Sequence, residues 1–286
     1  PSSMLPEIRG SSEVYGTATG ELSGIPIAGD LGDQQASLFG QACFEAGQVK
    51  CTYGTGAFML MHTGERPVAS SHGLITTVAA RVGERTTYAL EGSVAVAGSL
   101  IQWLRDDLGI INDASEVEAL ARSVPDAGDV IFVPAFSGLF APHWRPDARG
   151  IIAGLTRFAT KGHIARAALE ATAFQVADLG EAMVADLGAA LPPELRVDGG
   201  MIRNELLMQT QADILGTPVV APPLAEVSAL GAAYAAGLAV GFWDGIDELR
   251  SMDRAARRWE PMMTREDRAT ARARWRKGVE RSLGWV

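Results

Sequence analysis

The stretch that decides the fold is LRVDGG, residues 195–200, in which a short strand runs into a glycine turn. A helical pattern of apolar residues over 204–215 follows this turn directly. In open α/β sheets, ligands bind beyond the carboxyl ends of strands, where such turns lie. The stretch therefore predicts an α/β fold with a candidate binding site at Gly199 and Gly200.

Strands and helices alternate outward from this stretch over most of the chain, which favours one α/β domain. After Trp243 the pattern indicates a helical appendage. The predicted helices span residues 34–46, 94–108, 115–123, 161–187 and 227–241, and the predicted strands span residues 57–63, 74–82, 86–90, 130–134 and 151–155.

The composition is typical of a soluble globular protein, with 286 residues of which 47% are hydrophobic and 21% are charged. Cys43 and Cys51 provide neither a disulfide framework nor paired metal ligands, and we predict buried free thiols in a reducing cytosol.

No signal-peptide pattern opens the sequence. The uncharged run 227–243 contains three glycines and many alanines, which favours a tightly packed buried helix over a membrane span. A cytoplasmic protein without membrane contact is expected.

The net charge of −9 is unevenly distributed, since residues 254–281 are rich in arginine. A nucleic-acid-binding arm is one interpretation. Arg265, Arg268, Arg272 and Arg276 recur at helical spacing beside acidic residues, and a solvated face of a terminal helix explains them more simply. No nucleic-acid partner is therefore expected.

Three glycine-bearing turns could bring backbone N–H groups to an anion. They are residues 53–56 (YGTG), residues 198–200 (DGG) and residues 29–35, in which Asp33 precedes a helix. Together they indicate a nucleotide. A structural hairpin at the first turn and a helix-capping role for Asp33 remain open as alternatives. The sequence contains no Walker loop and no G-x-G-x-x-G turn, which excludes the P-loop and Rossmann classes.

Seven segments, in order and at familiar spacing, resemble the glycerol kinases, and the similarity runs from about Gly24 to Trp243. The segments are GDQQ (residues 32–35), YGTGAF (53–58), LEG (90–92), SLIQWLRD (99–106), FVPAFSG (132–138), PDARGIIAG (146–154) and RVDGG (196–200).

The resemblance implies an actin-like ATPase (ribonuclease H-like) domain, which is an α/β fold with a mixed sheet flanked by helices. In that group, two similar domains close over ATP and the substrate. The chain resembles only the second domain, and no D-x-G-T-T-S-type segment of the first is found in it. We therefore expect residues 1–243 to form the carboxy-terminal nucleotide-binding kinase domain and residues 244–286 a helical appendage. The implied partners are the amino-terminal half of the kinase and, for the full-length enzyme, further copies of itself in a homo-oligomer.

The resemblance also implies the reaction, which is ATP-dependent phosphorylation of glycerol to glycerol 3-phosphate. Asp33 corresponds to the general base that takes the proton of the attacking hydroxyl, and Gln34 lies beside it as a substrate ligand. Such a base suits phosphoryl transfer, because catalysis there consists mostly of positioning and charge stabilisation. Phe58 corresponds to the apolar contact to the carbon backbone of glycerol, although a core phenylalanine is an equal alternative.

The implied nucleotide contacts come from three regions of the chain: a phosphate turn, the helix after Gly92, and the adenine side. They are Gly54 and Thr55, Gly98 and Gln102, and Gly200 and Asn204, respectively. ATP implies Mg²⁺, which bridges phosphate oxygens largely through water, so no protein metal ligand is expected.

One loop departs from the family pattern, with Phe140, His143 and Arg145 in place of glycine, tyrosine and aspartate. These changes put the local loop conformation in question but not the nucleotide site. His143 is more simply a surface or packing residue than a metal ligand, because no second histidine or cysteine lies near it in the sequence.

Two other functions remain open. The first is a related polyol or pentulose kinase, which the substrate pocket would distinguish. The second is a non-catalytic nucleotide-binding module, against which the retention of Asp33, Gln34 and Gln35 argues, because a pure binder needs no base.

Overall fold

The computed structural model describes residues 2–188, 190, 192–224, 226–252 and 257–286. Its strands are β1 (Val14–Thr17), β2 (Pro26–Ala28), β3 (Val49–Tyr53), β4 (Ala57–Gly64), β5 (Ile75–Val82), β6 (Arg85–Val94), β7 (Ile131–Val133), β8 (Ile151–Ala153), β9 (Leu195–Asp198), β10 (Val219–Ala221) and β11 (Arg257–Trp259). Its helices are α1 (Asp33–Gly40), α2 (Gly98–Asp106), α3 (Glu116–Ala121), α4 (Lys161–Leu187), α5 (Glu205–Leu215), α6 (Val227–Ala239), α7 (Ile246–Ser251) and α8 (Arg265–Arg281).

The central sheet has seven strands in the order β11-β10-β9-β3-β4-β6-β5. Strand β9 runs parallel to β3 and β10, and the other neighbouring pairs are antiparallel. The register places Thr52 of β3 opposite Asp198 of β9 on one side and opposite Phe58 of β4 on the other. The predicted mixed sheet flanked by helices is confirmed.

Alternation along β3 assigns its residues to the two faces of this sheet. Val49, Cys51 and Tyr53 belong to the large buried cluster that includes residues of α4 and α5. Lys50 and Thr52 point to the opposite face, against which α1 packs, and α6 packs in turn against α1. The sheet is therefore the middle of three layers.

Helices α1 and α6 approach each other closely because both carry glycine at the contact. A Cβ atom at Gly231 would lie 1.8 Å from the carbonyl oxygen of Ala36, and one at Gly40 would lie 2.3 Å from that of Val227. The predicted tight packing of this alanine-rich helix is confirmed, whereas its predicted burial holds only for the face that includes Gly231 and Ala235. Among the described residues, no helix combines the length and the apolar character needed to cross a membrane.

Two of the predicted helices are more than four residues too long, and those predicted over 115–123 and 227–241 are too long by three and two residues. Helix α1 ends at Gly40 rather than at residue 46, because Ala42 takes a positive φ of 52° and the Gln48 side chain accepts hydrogen bonds from the backbone of Phe44 and Glu45. This turn leads into β3. Helix α2 begins at Gly98 rather than at residue 94, because β6 continues through Val94.

The terminal helix α8 contradicts the prediction of a solvated basic face at one position. Arg272 is buried and forms ion pairs with Asp178 at 2.9 Å and Glu181 at 2.6 Å. Trp275, one turn further along, stacks on Phe174 of α4 at 5.2 Å between ring centroids. The prediction fails for Arg272 because this face of α8 packs against α4.

Strand β11 shows that the segment after residue 243 also contributes to the sheet, where it pairs antiparallel with β10. Arg254, with which the basic stretch begins, lies outside the described residues. The division between residues 1–243 and 244–286 stays a prediction.

Candidate functional site

A cavity of about 440 Å³ lies at the ends of β3 and β9, beside α2 and α3. The six residues that sequence reasoning assigned to a nucleotide come from segments far apart in the chain, and all of them line it. They are Gly54, Thr55, Gly98, Gln102, Gly200 and Asn204. Its apolar walls include Ile101, Leu169 and Met201, which sequence reasoning did not single out.

The turn between β3 and β4 is held against the first residues of α2. The carbonyl oxygen of Thr55 accepts hydrogen bonds from the backbone of Ala97 and Ser99, and that of Gly54 accepts one from Gly98 at 3.0 Å. A Cβ atom at Gly98 would lie 2.5 Å from the Gly54 oxygen, so only glycine permits this approach. The hairpin interpretation is therefore correct as geometry, and the same geometry exposes Thr55 to the cavity.

The turn after β9 uses its two glycines differently. Gly199 has a φ of +94°, and a Cβ atom there would lie 2.4 Å from the carbonyl oxygen of Tyr53. No atom lies within 4 Å of a Cβ atom built at Gly200, which faces open space. Gly199 is thus required by the fold, whereas Gly200 leaves room for a ligand.

The amino terminus of α5 is already satisfied by protein side chains. Asn204 accepts a hydrogen bond from the Leu207 amide at 2.8 Å, and Glu118 of α3 accepts from the amides of Glu205 at 3.0 Å and Leu206 at 3.2 Å. Because these donors are occupied, this helix end is not a free anion site. The cavity wall here suits an uncharged part of a ligand, and Glu118 is a residue that the sequence pattern did not reveal.

Asp33 is the first residue of α1, and Gly32 holds the N-cap position. The Asp33 carboxylate is exposed and accepts hydrogen bonds from Gln34, at 2.8 Å from the backbone N and at 3.2 Å from Nε2. The alternative role as N-cap does not fit this placement, because the side chain bonds within its own turn.

Asp33, Gln34 and Phe58 do not line the cavity. Strand register places Phe58 on the α1 face of the sheet, where its side chain is 37% exposed rather than part of the core. Tyr53, which lines the cavity, faces α5 on the other side and donates to Gln211 at 2.8 Å. The two groups of predicted residues therefore lie on opposite faces of the sheet, with the turn Gly54–Gly56 between them.

The loop with the unusual residues is ordered by its own contacts. Phe140 stacks on Trp144 with 6.0 Å between the ring centroids. Arg145 forms an ion pair with Asp147, with 2.5 Å between a guanidinium nitrogen and Oδ2. His143 Nε2 lies 3.1 Å from Asp178 Oδ2 of α4. His143 therefore ties this loop to α4, which fits a packing role.

Comparison with known proteins shows that the chain is similar to carbohydrate kinases. The profile of the FGGY family of carbohydrate kinases, C-terminal domain, matches residues 49–240. A glycerol kinase of Brucella anthropi is 61% identical over all of this chain and 58% of its own length, and one of Nocardia farcinica is 60% identical with the same coverage. The chain thus spans a little under three fifths of the curated relatives that it matches.

Solved structures show the same partial overlap. The crystal structure of Plasmodium falciparum glycerol kinase with ADP has a TM-score of 0.92 and 42% identity, and covers 98% of this chain and 57% of that one. A gluconate kinase of Lactobacillus acidophilus, at 22% identity and a TM-score of 0.82, shares the fold alone. The predicted actin-like ATPase fold is confirmed.

Proposed function

The chain belongs to the FGGY family of carbohydrate kinases, and from this premise we propose that it is the ATP-binding half of an enzyme that phosphorylates glycerol to glycerol 3-phosphate. The proposal rests mainly on the observation that all six predicted nucleotide contacts line the same cavity. They are Gly54, Thr55, Gly98, Gln102, Gly200 and Asn204. In this assignment the adenosine part enters between α2, α3 and the turn after β9. The phosphates then extend toward the turn at Thr55.

Asp33 is the proposed general base for the glycerol hydroxyl. Its exposed carboxylate stands at the start of a helix whose residues 36–40 are buried, which anchors the helix beneath it. Gln34 holds both of its oxygens. A carboxylate placed in this way can orient the hydroxyl and accept its proton while the γ-phosphoryl group is transferred.

Phe58 is the proposed apolar contact for the carbon chain of glycerol. It is paired with Thr52 across β3 and β4, on the sheet face against which α1 packs, and it is partly exposed next to the turn. A partly exposed aromatic ring can cover CH₂ groups while the hydroxyl groups of the substrate reach polar side chains.

Mg²⁺ is proposed to accompany ATP. No group of three potential metal ligands of the His, Cys, Asp or Glu type occurs in the described part of the chain. The ion would be held mainly by phosphate oxygens and water and would neutralise charge on the transferred group.

The relatives favour glycerol over the alternative substrates. Proteins named glycerol kinase match at about 60% identity, whereas solved xylulose kinases match at 26% or less. The exposed carboxylate at Asp33 supports a catalytic protein over a module that only binds nucleotide.

The remaining partners and the location extend the same proposal. We expect the amino-terminal half of the kinase to complete the cleft, and the full enzyme to form a homo-oligomer in the cytoplasm. Cys43 and Cys51 are free and buried, and burial raises the pKa of each thiol to about 12, so both suit a reducing compartment as inert thiols.

The test compares ADP formation, with and without glycerol, for this chain alone and for the chain joined to the amino-terminal half of the Brucella anthropi relative. The isolated chain should show no useful turnover, because positioning in a water-excluded cleft supplies effective molarities of about 10⁵ M or more. The joined protein should turn over in a glycerol-dependent way. Substantial glycerol-dependent turnover by the isolated chain would show that the substrate site is misplaced.

Asp33→Asn in the joined protein tests the residue assignment. We expect kcat to fall by about 10² or more with ATP affinity nearly unchanged, as for a lost general base. Asp30→Asn is the matched control, since Asp30 is an exposed carboxylate in the same turn and should tolerate the change. Wild-type turnover by Asp33→Asn would refute the role.

A further inference from the structure

Lys50 is a fully buried lysine on β3, near the middle of the sheet and on the face that α1 covers. Its ammonium group donates hydrogen bonds to Gln34 Oε1 and, at 2.9 Å, to Thr52 Oγ1. Both acceptors are neutral. Burial of an ammonium group against neutral partners costs free energy that an apolar side chain of the same size would not cost. This placement indicates a role beyond packing.

The lysine determines which way the Gln34 amide points. An ammonium group carries only donors, so Gln34 presents its oxygen to Lys50 and its NH₂ group to Asp33. Nε2 then donates to Asp33 Oδ2 at 3.2 Å, while the Gln34 backbone N donates to Oδ1 at 2.8 Å. In the reversed orientation, the amide oxygen would face the carboxylate and the two acceptors would repel each other.

We propose that Lys50 is a positioning residue for phosphoryl transfer, which fixes the Gln34 amide and, through it, the Asp33 carboxylate. The inference rests on the proposed function, in which Asp33 is the base. Lys50 itself touches neither the cavity nor the exposed edge of the turn, and so acts one side chain away from the reaction.

The surroundings of Lys50 support this role. Ser37 of α1 and Gln41, which directly follows the helix, donate to the buried Asp198 at 2.6 Å and 3.2 Å, which anchors the body of the helix to β9. Lys50 attaches the first turn of the same helix. Burial lowers the pKa of Lys50, and the charges of Asp198 and Glu91 oppose this shift and favour the donor-only ammonium form.

The kinetic test uses Lys50→Met in the chain joined to the amino-terminal half, because methionine keeps the length of the stem. We expect kcat to fall about tenfold, the scale of one lost hydrogen bond, with KM for ATP changed less than about twofold. Arg272→Met is the matched control, since it removes a buried cation that bonds to α4 and should leave kcat unchanged. An unchanged kcat in Lys50→Met would overturn the inference.

A double-mutant cycle separates positioning from a general effect on stability. In a Gln34→Leu background, Lys50→Met should lower kcat by less than about twofold, because its route to Asp33 is already lost. A further tenfold loss in that background would show that Lys50 does not act through Gln34, and would overturn the inference.

A third measurement does not depend on turnover. With ¹⁵N-glutamine labelling, the Gln34 side-chain NH₂ resonance is identified by its disappearance in Gln34→Leu. In Lys50→Met this resonance should shift toward the position of a free amide. An unchanged resonance would overturn the inference, whereas absence of glycerol-dependent turnover in the unsubstituted joined protein would instead refute the proposed function.

Discussion

His62 provides a prediction whose size follows from the structure. It is buried on β4, and its Nδ1 accepts a hydrogen bond from the Gly64 amide at 3.1 Å, so the ring is neutral. Burial, helped by the charges of Arg85 and Arg250, lowers the pKa of His62 from 6.5 to about 4. The unfolded chain therefore binds a proton at pH values where the folded chain does not.

The sign and size of the effect follow from linkage. The contribution of neutral His62 to the free energy of unfolding is fully present above pH 6.5 and is lost as the pH falls toward 4. Below that pH, this contribution changes no further. The fall of the pKa from 6.5 to about 4 corresponds to a loss of about 3 kcal/mol in the free energy of unfolding.

Urea unfolding between pH 7.5 and 4 measures this loss, and His62→Gln provides the reference because glutamine can accept the same hydrogen bond without titrating. The unsubstituted protein should lose about 3 kcal/mol more than the variant over this range. Parallel stability curves for the two proteins would refute the reasoning.

Three further outcomes are expected. Gly200→Val should leave the free energy of unfolding nearly unchanged, since a Cβ atom there meets open space. The same substitution should lower the affinity for a non-hydrolysable ATP analogue about tenfold or more, as measured by calorimetry. Full affinity in the folded variant would place the adenosine elsewhere. Gly98→Ala should cost about 1–3 kcal/mol in chemical denaturation because its Cβ would overlap the Gly54 oxygen, and an unaltered midpoint would contradict that contact. Burial raises the pKa of Glu91, so the ionised carboxylate is less favourable in the folded state than in the unfolded chain. Glu91→Gln should therefore raise Tm at pH 7 but not below pH 4.5, and the same Tm difference at both pH values would count against this explanation.

Much of the local structure could be predicted because its signals lie within a few residues. The predicted bounds of the helix at residues 161–187 agree with those of α4, since apolar periodicity and a Gly188 C-cap mark it. The LRVDGG stretch placed β9, its turn and α5 in the right order. The glycine at position 199 is needed locally because of its positive φ.

The central strand β3 was not identified as a separate element, and the reason is physical. Lys50 and Thr52 interrupt its apolar pattern, and the buried Lys50 is satisfied by Gln34 of α1 and by Thr52, which both accept hydrogen bonds from its ammonium group. Whether a charge is solvated or buried depends on a partner that the local sequence does not contain. The same reason explains Arg272, whose partner Asp178 lies on another helix.

The sequence by itself therefore determined the α/β class, the family resemblance and the glycine turns, since each depends on the order of neighbouring residues. Only the tertiary structure decided which of these residues share a cavity, and that Glu118 occupies the end of α5. It also decided how α1 is held, through contacts such as that between Ser37 and Asp198, which are 161 positions apart. Such contacts form only when strand order and register bring distant segments together, and no local periodicity records that geometry.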